Sequence, residues 1–429
     1  MHVLITGASG LVGKRVAQAL LAQGWRVTAA GRRPAADPAL GYVEADFSRD
    51  TDPAVWRARL RGVDVVINTV GIIRETSGQR FAQLHVATPQ ALFSACADAG
   101  VRCVLQISAL GADDKAETAY HLSKKAADDF LAGLPLRSVI VQPSLIFGPG
   151  GGSAELFKTL ATMPIGIRFG SAPQPVQPIH IDDVTEALVR LATQCGSGLD
   201  TAGAVRIALV GPQAMPMQDY LAALRRALGL GRQATLTLPG ALARAFAWLG
   251  GVVPGLPLDR DALWMLNRGN TADAAASTAL LGRAPKAVAE FIPAPQRDSE
   301  RKLAQLNWLL PMLRVSIAAV WLITAYVSAL VYPEADSLLL LERTGILPAL
   351  APFMLYGAAG CDLLLGMATL ALPRRWRPPM WLAQIALIAF YSAVIAWRLP
   401  EFLAHPYGPL SKNLPMLAAI YLLYVLEKR

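Results

Sequence analysis

A tyrosine and a lysine four residues apart, Tyr120 and Lys124, stand twelve residues after a serine, Ser108. Those three types can do acid/base work at a carbonyl. A phenol must give or take a proton near neutral pH, a nearby ammonium favours its phenolate, and a hydroxyl can polarise a carbonyl oxygen. On a helix, positions i and i+4 share a face, so Tyr120 and Lys124 point the same way. The amphipathic run Ala126, Ala127, Phe130 and Leu131 supplies that helix. Tyr-x-x-x-Lys arises often by chance, so its weight depends on the elements that position it.

The first such element opens the chain. An apolar strand, Val3 to Ile5, runs into Thr6-Gly-Ala-Ser-Gly-Leu-Val-Gly13 and then an amphipathic helix marked by Leu11, Val12, Val16, Ala19 and Leu20. Gly7 permits a tight turn, Gly10 admits backbone to a pyrophosphate, and Gly13 lets helix and strand pack closely. The phosphates of a dinucleotide would sit on the helix N-terminus, whose first N–H groups have no internal partner. A second strand, Arg26 to Ala30, ends in Gly31-Arg32-Arg33, where this architecture meets the adenosine ribose. An acid there would accept from the 2′-hydroxyl, whereas arginine accommodates a 2′-phosphate. With Arg32 and Arg33 in place, NADP is favoured over NAD, and Asp46 is expected near the adenine.

The next segments alternate. Val63 to Asn68 reads as a strand, Phe81 to Ala99 as a helix and Arg102 to Ser108 as a strand. Alternation of this kind specifies a doubly wound α/β fold, a parallel Rossmann sheet with helices on both faces. Ligands bind it beyond the carboxyl ends of strands, where Asn68, Gly71 and Ser108 fall.

Taken together, these positions resemble the short-chain dehydrogenase/reductase superfamily. Thr6 to Gly13, Asn68 to Gly71, Ser108 and Tyr120/Lys124 carry the match in chain order, and it extends over about residues 1–290. Gln142 to Gly150 and Pro178 to Val184 resemble its extended and atypical branches. Ile107 to Asp113 is closest to the atypical branch that contains an accessory subunit of respiratory complex I. The resemblance implies hydride transfer by Ser108, Tyr120 and Lys124. It also implies a dinucleotide held by Thr6, Gly7, Ser9, Gly10, Leu11, Val12, Gly13, Arg32, Arg33, Asp46, Asn68, Gly71, Lys124 and Pro143. The chain departs from the common pattern at Gln142, where arginine often precedes the proline, and at His85, where asparagine often relays protons. A helical histidine such as His85 is more often a satisfied core residue.

Composition divides the 429 residues. The expected domains are a Rossmann domain over 1–200, a small α/β substrate-side subdomain over 201–295, a linker over 296–307 and a membrane domain over 308–429. Pro239 to Pro257, apolar and carrying Phe246 and Trp248, is read as capping the pocket or lying against a bilayer, with ordinary helix packing the blander reading. Four segments, about 309–331, 346–372, 380–397 and 410–426, approach the roughly 20 apolar residues that span a bilayer. They predict a four-helix transmembrane bundle. Trp308, Trp381, Trp397 and Tyr407 lie near the predicted ends. Pro406 to Pro415 and the apolar helix after it resemble the closing motif of DoxX-like membrane proteins, over about 307–429. Lys412 and Asn413 match that motif, and the family implies respiratory or redox membranes.

The net charge of +9 falls at the flanks of the apolar runs rather than in a basic stripe with aromatics, so nucleic acid is not an expected partner. Arg297, Arg301, Lys302, Arg374, Arg375, Arg377 and the terminal Lys428 and Arg429 fit positive-inside topology, with the N-terminal domain cytoplasmic on an inner membrane. No signal peptide is expected. Arg314 is read as snorkelling to headgroups, and Asp362, well inside the second span, as either a structural or a functional acid. The four cysteines have neither metal nor framework spacing, so single buried thiols in a reducing compartment and no metal site are expected. The leading reading is a membrane-tethered NADP(H) oxidoreductase acting on a carbonyl, hydroxyl or quinone-like substrate, with lipid-soluble substrates within its reach. The other reading is a non-catalytic nucleotide-binding sensor or assembly module on a respiratory complex.

Overall fold

The computed structural model describes residues 1–34, 37–170, 173–197, 203–252, 259–406 and 408–427. Tyr407, Lys428, Arg429 and the Pro257 end of the apolar stretch lie outside them. The chain forms two compact units, Met1–Ala304 and Gln305–Arg429.

In the first unit the order is β1 (His2–Thr6), α1 (Leu11–Ala22), β2 (Arg26–Gly31), β3 (Gly41–Glu44), α2 (Pro53–Arg59), β4 (Val65–Asn68), α3 (Thr88–Asp98), β5 (Cys103–Ile107), α4 (Ala119–Ala132) and β6 (Ser138–Pro143). There follow β7 (Ile146–Phe147), α5 (Gly152–Thr162), β8 (Ile165–Phe169), β9 (Pro175–Val176), β10 (Ile179–His180), α6 (Ile181–Ser197), β11 (Ala204–Leu209), β12 (Met215–Pro216), α7 (Met217–Ala227), β13 (Ala234–Leu238), α8 (Gly240–Val252), α9 (Arg260–Arg268) and α10 (Ala275–Leu281). Seven strands form one sheet in the order β11-β6-β5-β4-β1-β2-β3, every pair parallel.

The strand sequences explain this sheet. Val65 to Ile67 and Cys103 to Ile107 are unbroken apolar or buried runs, as strands covered on both faces require. Val3 and Ile5 face one core with Val16, Leu20 and Leu188, while Leu4 faces the other with Trp56, Leu92 and Leu131. Each such side chain contributes about 1.5–3 kcal/mol by leaving water. The order reverses between β1 and β4, where Thr6 pairs with Asn68, and a crevice opens at such a switch point. Cys103 on β5 and Cys195 on α6 are joined as a disulfide across 92 residues, a pairing their scatter in sequence conceals.

In the second unit the helices are α11 (Arg297–Tyr326), α12 (Glu334–Arg343), α13 (Ala351–Ala371), α14 (Arg377–Arg398) and α15 (Asn413–Glu427). Residues 297–307, read as linker, are already helical within α11. Among the described residues, three stretches are long and apolar enough to cross a membrane, Ala294–Val331, Ala351–Ala371 and Arg374–Arg398. The fourth expected span is α15, of 15 residues. At 1.5 Å per residue it is about 22 Å long, short of the roughly 30 Å hydrocarbon core.

This unit is apolar outward. Leu330, Phe353, Phe390 and Trp397 are exposed, while its core joins Ile317, Trp321, Trp381, Ile388, Ile420 and Leu423. Several of its polar groups are partnered across helices, whereas the Oδ1 of buried Asp362 has no hydrogen-bond partner among the described residues. Gln384 accepts from the Trp321 indole at 3.0 Å and donates to Thr369 at 2.8 Å, and Asn413 donates to Ser392 at 2.9 Å. Arg314, read as reaching for headgroups, has a protein partner. It pairs with buried Glu427, which also accepts from the Trp381 indole at 3.0 Å.

Candidate functional site

The glycine turn between β1 and α1 is shaped by contacts that only glycine tolerates. Gly7 has φ +74°. A Cβ on Gly13 would stand 2.4 Å from the Gly7 carbonyl oxygen and 2.5 Å from Thr69 Oγ1, far inside van der Waals contact. Gly10 donates to the Gly7 carbonyl at 2.8 Å and begins α1 with no side-chain cap. The first-turn N–H groups of α1 are thus left for an anion, the geometry a pyrophosphate needs. Ser9 and Gly10 are exposed there, Leu11 and Val12 half-buried.

Arg32 and Arg33 lie exposed just past the end of β2. The Asp46 carboxyl is held below the usual range first by the Ser48 hydroxyl, with Arg32 contributing charge. Its Oδ1 accepts from Ser48 N–H at 2.9 Å and Oγ at 2.7 Å, so Asp46 shapes its own turn.

Beneath the cradle the carboxyl ends of three strands are tied by buried polar side chains. Thr6 donates to Asn68 Oδ1 at 2.6 Å, and Asn68 donates to Gln106 Oε1 at 2.7 Å. The side chains of Thr6 and Asn68 are therefore committed to each other.

Tyr120 and Lys124 share a face of α4, whose N-cap Thr118 accepts from His121 N–H. Lys124 is buried, and its ammonium donates to the carbonyls of Val70 at 3.2 Å and Ile107 at 3.1 Å, beyond β4 and at the end of β5. Gly71 makes room for it, since a Cβ there would stand 3.0 Å from Nζ. Pro143 closes β6 nearby in the sheet, its carbonyl accepting from Leu110 N–H at 3.0 Å.

Burial shifts every titrating group here. It pushes the Tyr120 phenol up to about 12, with Asp128 adding to the effect, the reverse of what the lysine neighbour alone predicts. It holds the Lys124 ammonium below the ordinary lysine range, against the pull of Asp128. It raises the Asp128 carboxyl, against a hydrogen bond from Ser108. Ser108 donates its hydroxyl proton to Asp128 Oδ2. While Asp128 is ionised, the Ser108 oxygen thus offers only lone pairs to a substrate, so it can accept from an alcohol but not polarise a carbonyl.

His85 sits in a π-helical turn, Ala82–Ala87, a distortion common at functional sites. Its Nε2 accepts from Ile72 N–H at 3.0 Å, which places the proton on Nδ1 for donation to Ser123 Oγ at 2.8 Å. Burial, then Lys124, lowers its pKa to about 2, so it is a neutral, satisfied ring packed edge-on to Tyr120.

Sequence reading missed four residues at this site. Asp128 and Gln106 are two. The others are His121, lowered to about 4 by burial and then Arg268, and Arg268 itself. Arg268, on α9, donates to the Gly111 carbonyl at 2.9 Å and to both Asp113 oxygens at 2.6 Å. Only Asp128 left a signal, standing one further helical turn along the face of Tyr120 and Lys124.

With this geometry in hand, comparison with known proteins assigns the parts. Residues 3–202 match the NAD dependent epimerase/dehydratase family and residues 318–421 the DoxX-like family. The chain is 29% identical over 190 residues to ceramide reductase of Caulobacter vibrioides, covering 44% of this chain and 59% of that protein. It is 29% identical over 154 residues to NADH dehydrogenase [ubiquinone] 1 alpha subcomplex subunit 9, mitochondrial, of Mus musculus, covering 35% and 39%. The chain thus spans under two thirds of either relative. In fold it is similar to MoeE5, solved in complex with UDP-glucose and NAD, with TM-score 0.52, 20% identity, 70% of this chain and 99% of that one.

Proposed function

We propose that this chain, an epimerase/dehydratase-type NAD-binding Rossmann domain fused to a DoxX-like membrane domain, is a membrane-tethered NADP(H)-dependent oxidoreductase acting on a carbonyl or hydroxyl group of a lipid-soluble substrate. The observation that carries it is the placement of Tyr120 and Lys124 on one face of α4, with the ammonium seated on the carbonyls of Val70 and Ile107. The Gly7 to Gly13 cradle fits the pyrophosphate, Arg32 and Arg33 a 2′-phosphate, and Gly71 and Lys124 the nicotinamide side. When bound, the nicotinamide supplies or accepts the hydride. In reduction Tyr120 gives its phenolic proton to the substrate oxygen, and the Lys124 ammonium stabilises the phenolate left behind. In oxidation the same phenolate takes the hydroxyl proton. The name of one relative, ceramide reductase, supports a lipid substrate, and the arginine-flanked spans support a cytoplasmic face on an inner membrane.

NADPH consumption by the full-length protein in lipid, against ketone-bearing lipids, quinones and aldehydes, tests this reading. Tyr120→Phe should lower turnover roughly 10²–10⁴-fold with NADPH binding unchanged. Reduction should also decline as pH rises through the lowered Lys124 value, because the ammonium is present only below it. Unchanged turnover in Tyr120→Phe would overturn the chemistry. Tight NADPH binding with no turnover would instead favour an assembly or sensor module, the reading supported by similarity to a complex I subunit.

A further inference from the structure

One surface of the first unit is built the wrong way round for water. Strands β8 and β13 form a separate two-stranded parallel sheet in which Ile165 lies beside Ala234, Ile167 beside Leu236 and Phe169 beside Leu238. Side chains alternate across a strand, so these six share one face. On it Ile165, Ile167 and Leu236 are each about half exposed. Pro239 alone then separates β13 from α8. That helix buries its small residues, Ala243 and Ala247, and exposes Leu242 and Trp248. A helix serving a water-facing domain does the opposite.

The segment that carries β13 and α8 is basic along the chain. Between Asp219 and Asp259 the sequence has no carboxylate and four arginines, Arg225, Arg226, Arg232 and Arg244. Arg232 and Arg244 are exposed beside the apolar residues. Exposed aliphatics, a tryptophan and arginines on two elements joined through Pro239 have the composition of a segment lying in a membrane interface. Among the described residues, three stretches are long and apolar enough to cross a membrane, so the chain itself brings a bilayer as a partner.

We infer that the β8–β13 sheet face and α8 form a lipid-docking surface that seats the first unit on an anionic bilayer, with Ile165, Ile167, Leu236, Leu242 and Trp248 entering the headgroup–acyl boundary. This does not depend on the reductase reading, though the two connect. Helix α8 packs on α9, and α9 carries Arg268 and Trp264 to the loop and histidine beside Tyr120. A lipid leaving the bilayer at α8 would therefore meet α9, whose side chains reach the residues beside Tyr120.

The test uses the full-length protein in nanodiscs, in a Cys361→Ser background because Cys361 is exposed. Single Leu236→Cys, Leu242→Cys and Trp248→Cys variants carry an environment-sensitive fluorophore, with Gln23→Cys, exposed after α1, as control. In phosphatidylglycerol-containing discs with spin-labelled lipid, the three patch labels should be quenched and the control should not. Arg232→Gln with Arg244→Gln should lower the docked-to-free ratio by roughly fivefold per arginine, as expected for one basic residue at an anionic surface. Labels at the patch no more quenched than at residue 23 would overturn the proposal. So would patch labels shielded from lipid and lying close to their counterparts in a second copy, which would make the face a self-association surface. NADPH turnover measured on the same discs separates this outcome from failure of the reductase reading.

Discussion

Asn68 and Gln384 are the same device in two solvents. Each is a fully buried side-chain amide at a junction of three elements. Asn68 ties β1, β4 and β5 through Thr6 and Gln106, and Gln384 ties α11, α13 and α14 through Trp321 and Thr369. Around Asn68 the polar groups gather at the carboxyl ends of strands, beside the candidate nucleotide site. Around Gln384 they run along the inside of a bundle whose outer surface is apolar. In the first unit the unfolded chain is solvated by water, so a buried group without its partner loses water and regains nothing. In the second the unfolded reference is still a helix in lipid, where polar groups find other partners. Identical geometry therefore carries different weight in the two units.

The difference can be broken most forcefully at Asn68. Asn68→Leu keeps the branching but is bulkier, and it orphans the Thr6 hydroxyl, the Val70 N–H and the Gln106 carbonyl oxygen, at about 1–3 kcal/mol for each buried group left unsatisfied. Thermal unfolding of the first unit in the full-length protein should shift downward by roughly 5–10 °C. A shift no larger than that of the matching bundle variant below would show that the two hubs are equivalent.

What was legible in the sequence follows the same division between local and distant contacts. The turn from Thr6 to Gly13 and the pairing of Tyr120 with Lys124 on one face depend on residues within one or two helical turns, and spacing alone encodes them. The parallel sheet was legible because strands and helices alternate regularly along the chain. The Gln106 contact was not, because it depends on β4 and β5 lying in register 38 residues apart. Arg268 reaches Asp113 across 155 residues, and the Cys103–Cys195 bond closes only when α6 packs on the sheet. Ser108 was legible as a strand-end serine, but not that its proton points at Asp128. Hydropathy also found α15 without revealing that its helix begins at Asn413.

The comparison sharpens at the far end of the nucleotide site, where side chains are exposed rather than locked. Arg32 and Arg33 lie beyond β2 and owe nothing to a buried network, so replacing them should change ligand choice and leave folding intact. Arg32→Ala with Arg33→Ala should weaken NADPH roughly tenfold relative to NADH, the scale of one charge-assisted hydrogen bond to a phosphate. Titration of both nucleotides by tryptophan fluorescence measures it. Equal loss for NADPH and NADH would mean that these arginines do not read the 2′-phosphate.

The smallest effect is expected at the second hub. Gln384→Leu removes an acceptor from the Trp321 indole and a donor to Thr369 in one step. Thr369 keeps its bond to the Leu365 carbonyl at 2.7 Å, so one of the two partners is not stranded. Interhelical hydrogen bonds in membranes average about 0.6 kcal/mol, and the apolar core of this unit already joins Ile388, Trp321 and Met380. Unfolding of the full-length protein in mixed micelles by added denaturing detergent should therefore shift by about 1 kcal/mol or less. A loss matching that of Asn68→Leu would mean that the bundle interior behaves like the sheet, with water in its unfolded reference. That result would count against treating the second unit as a bundle folded in lipid.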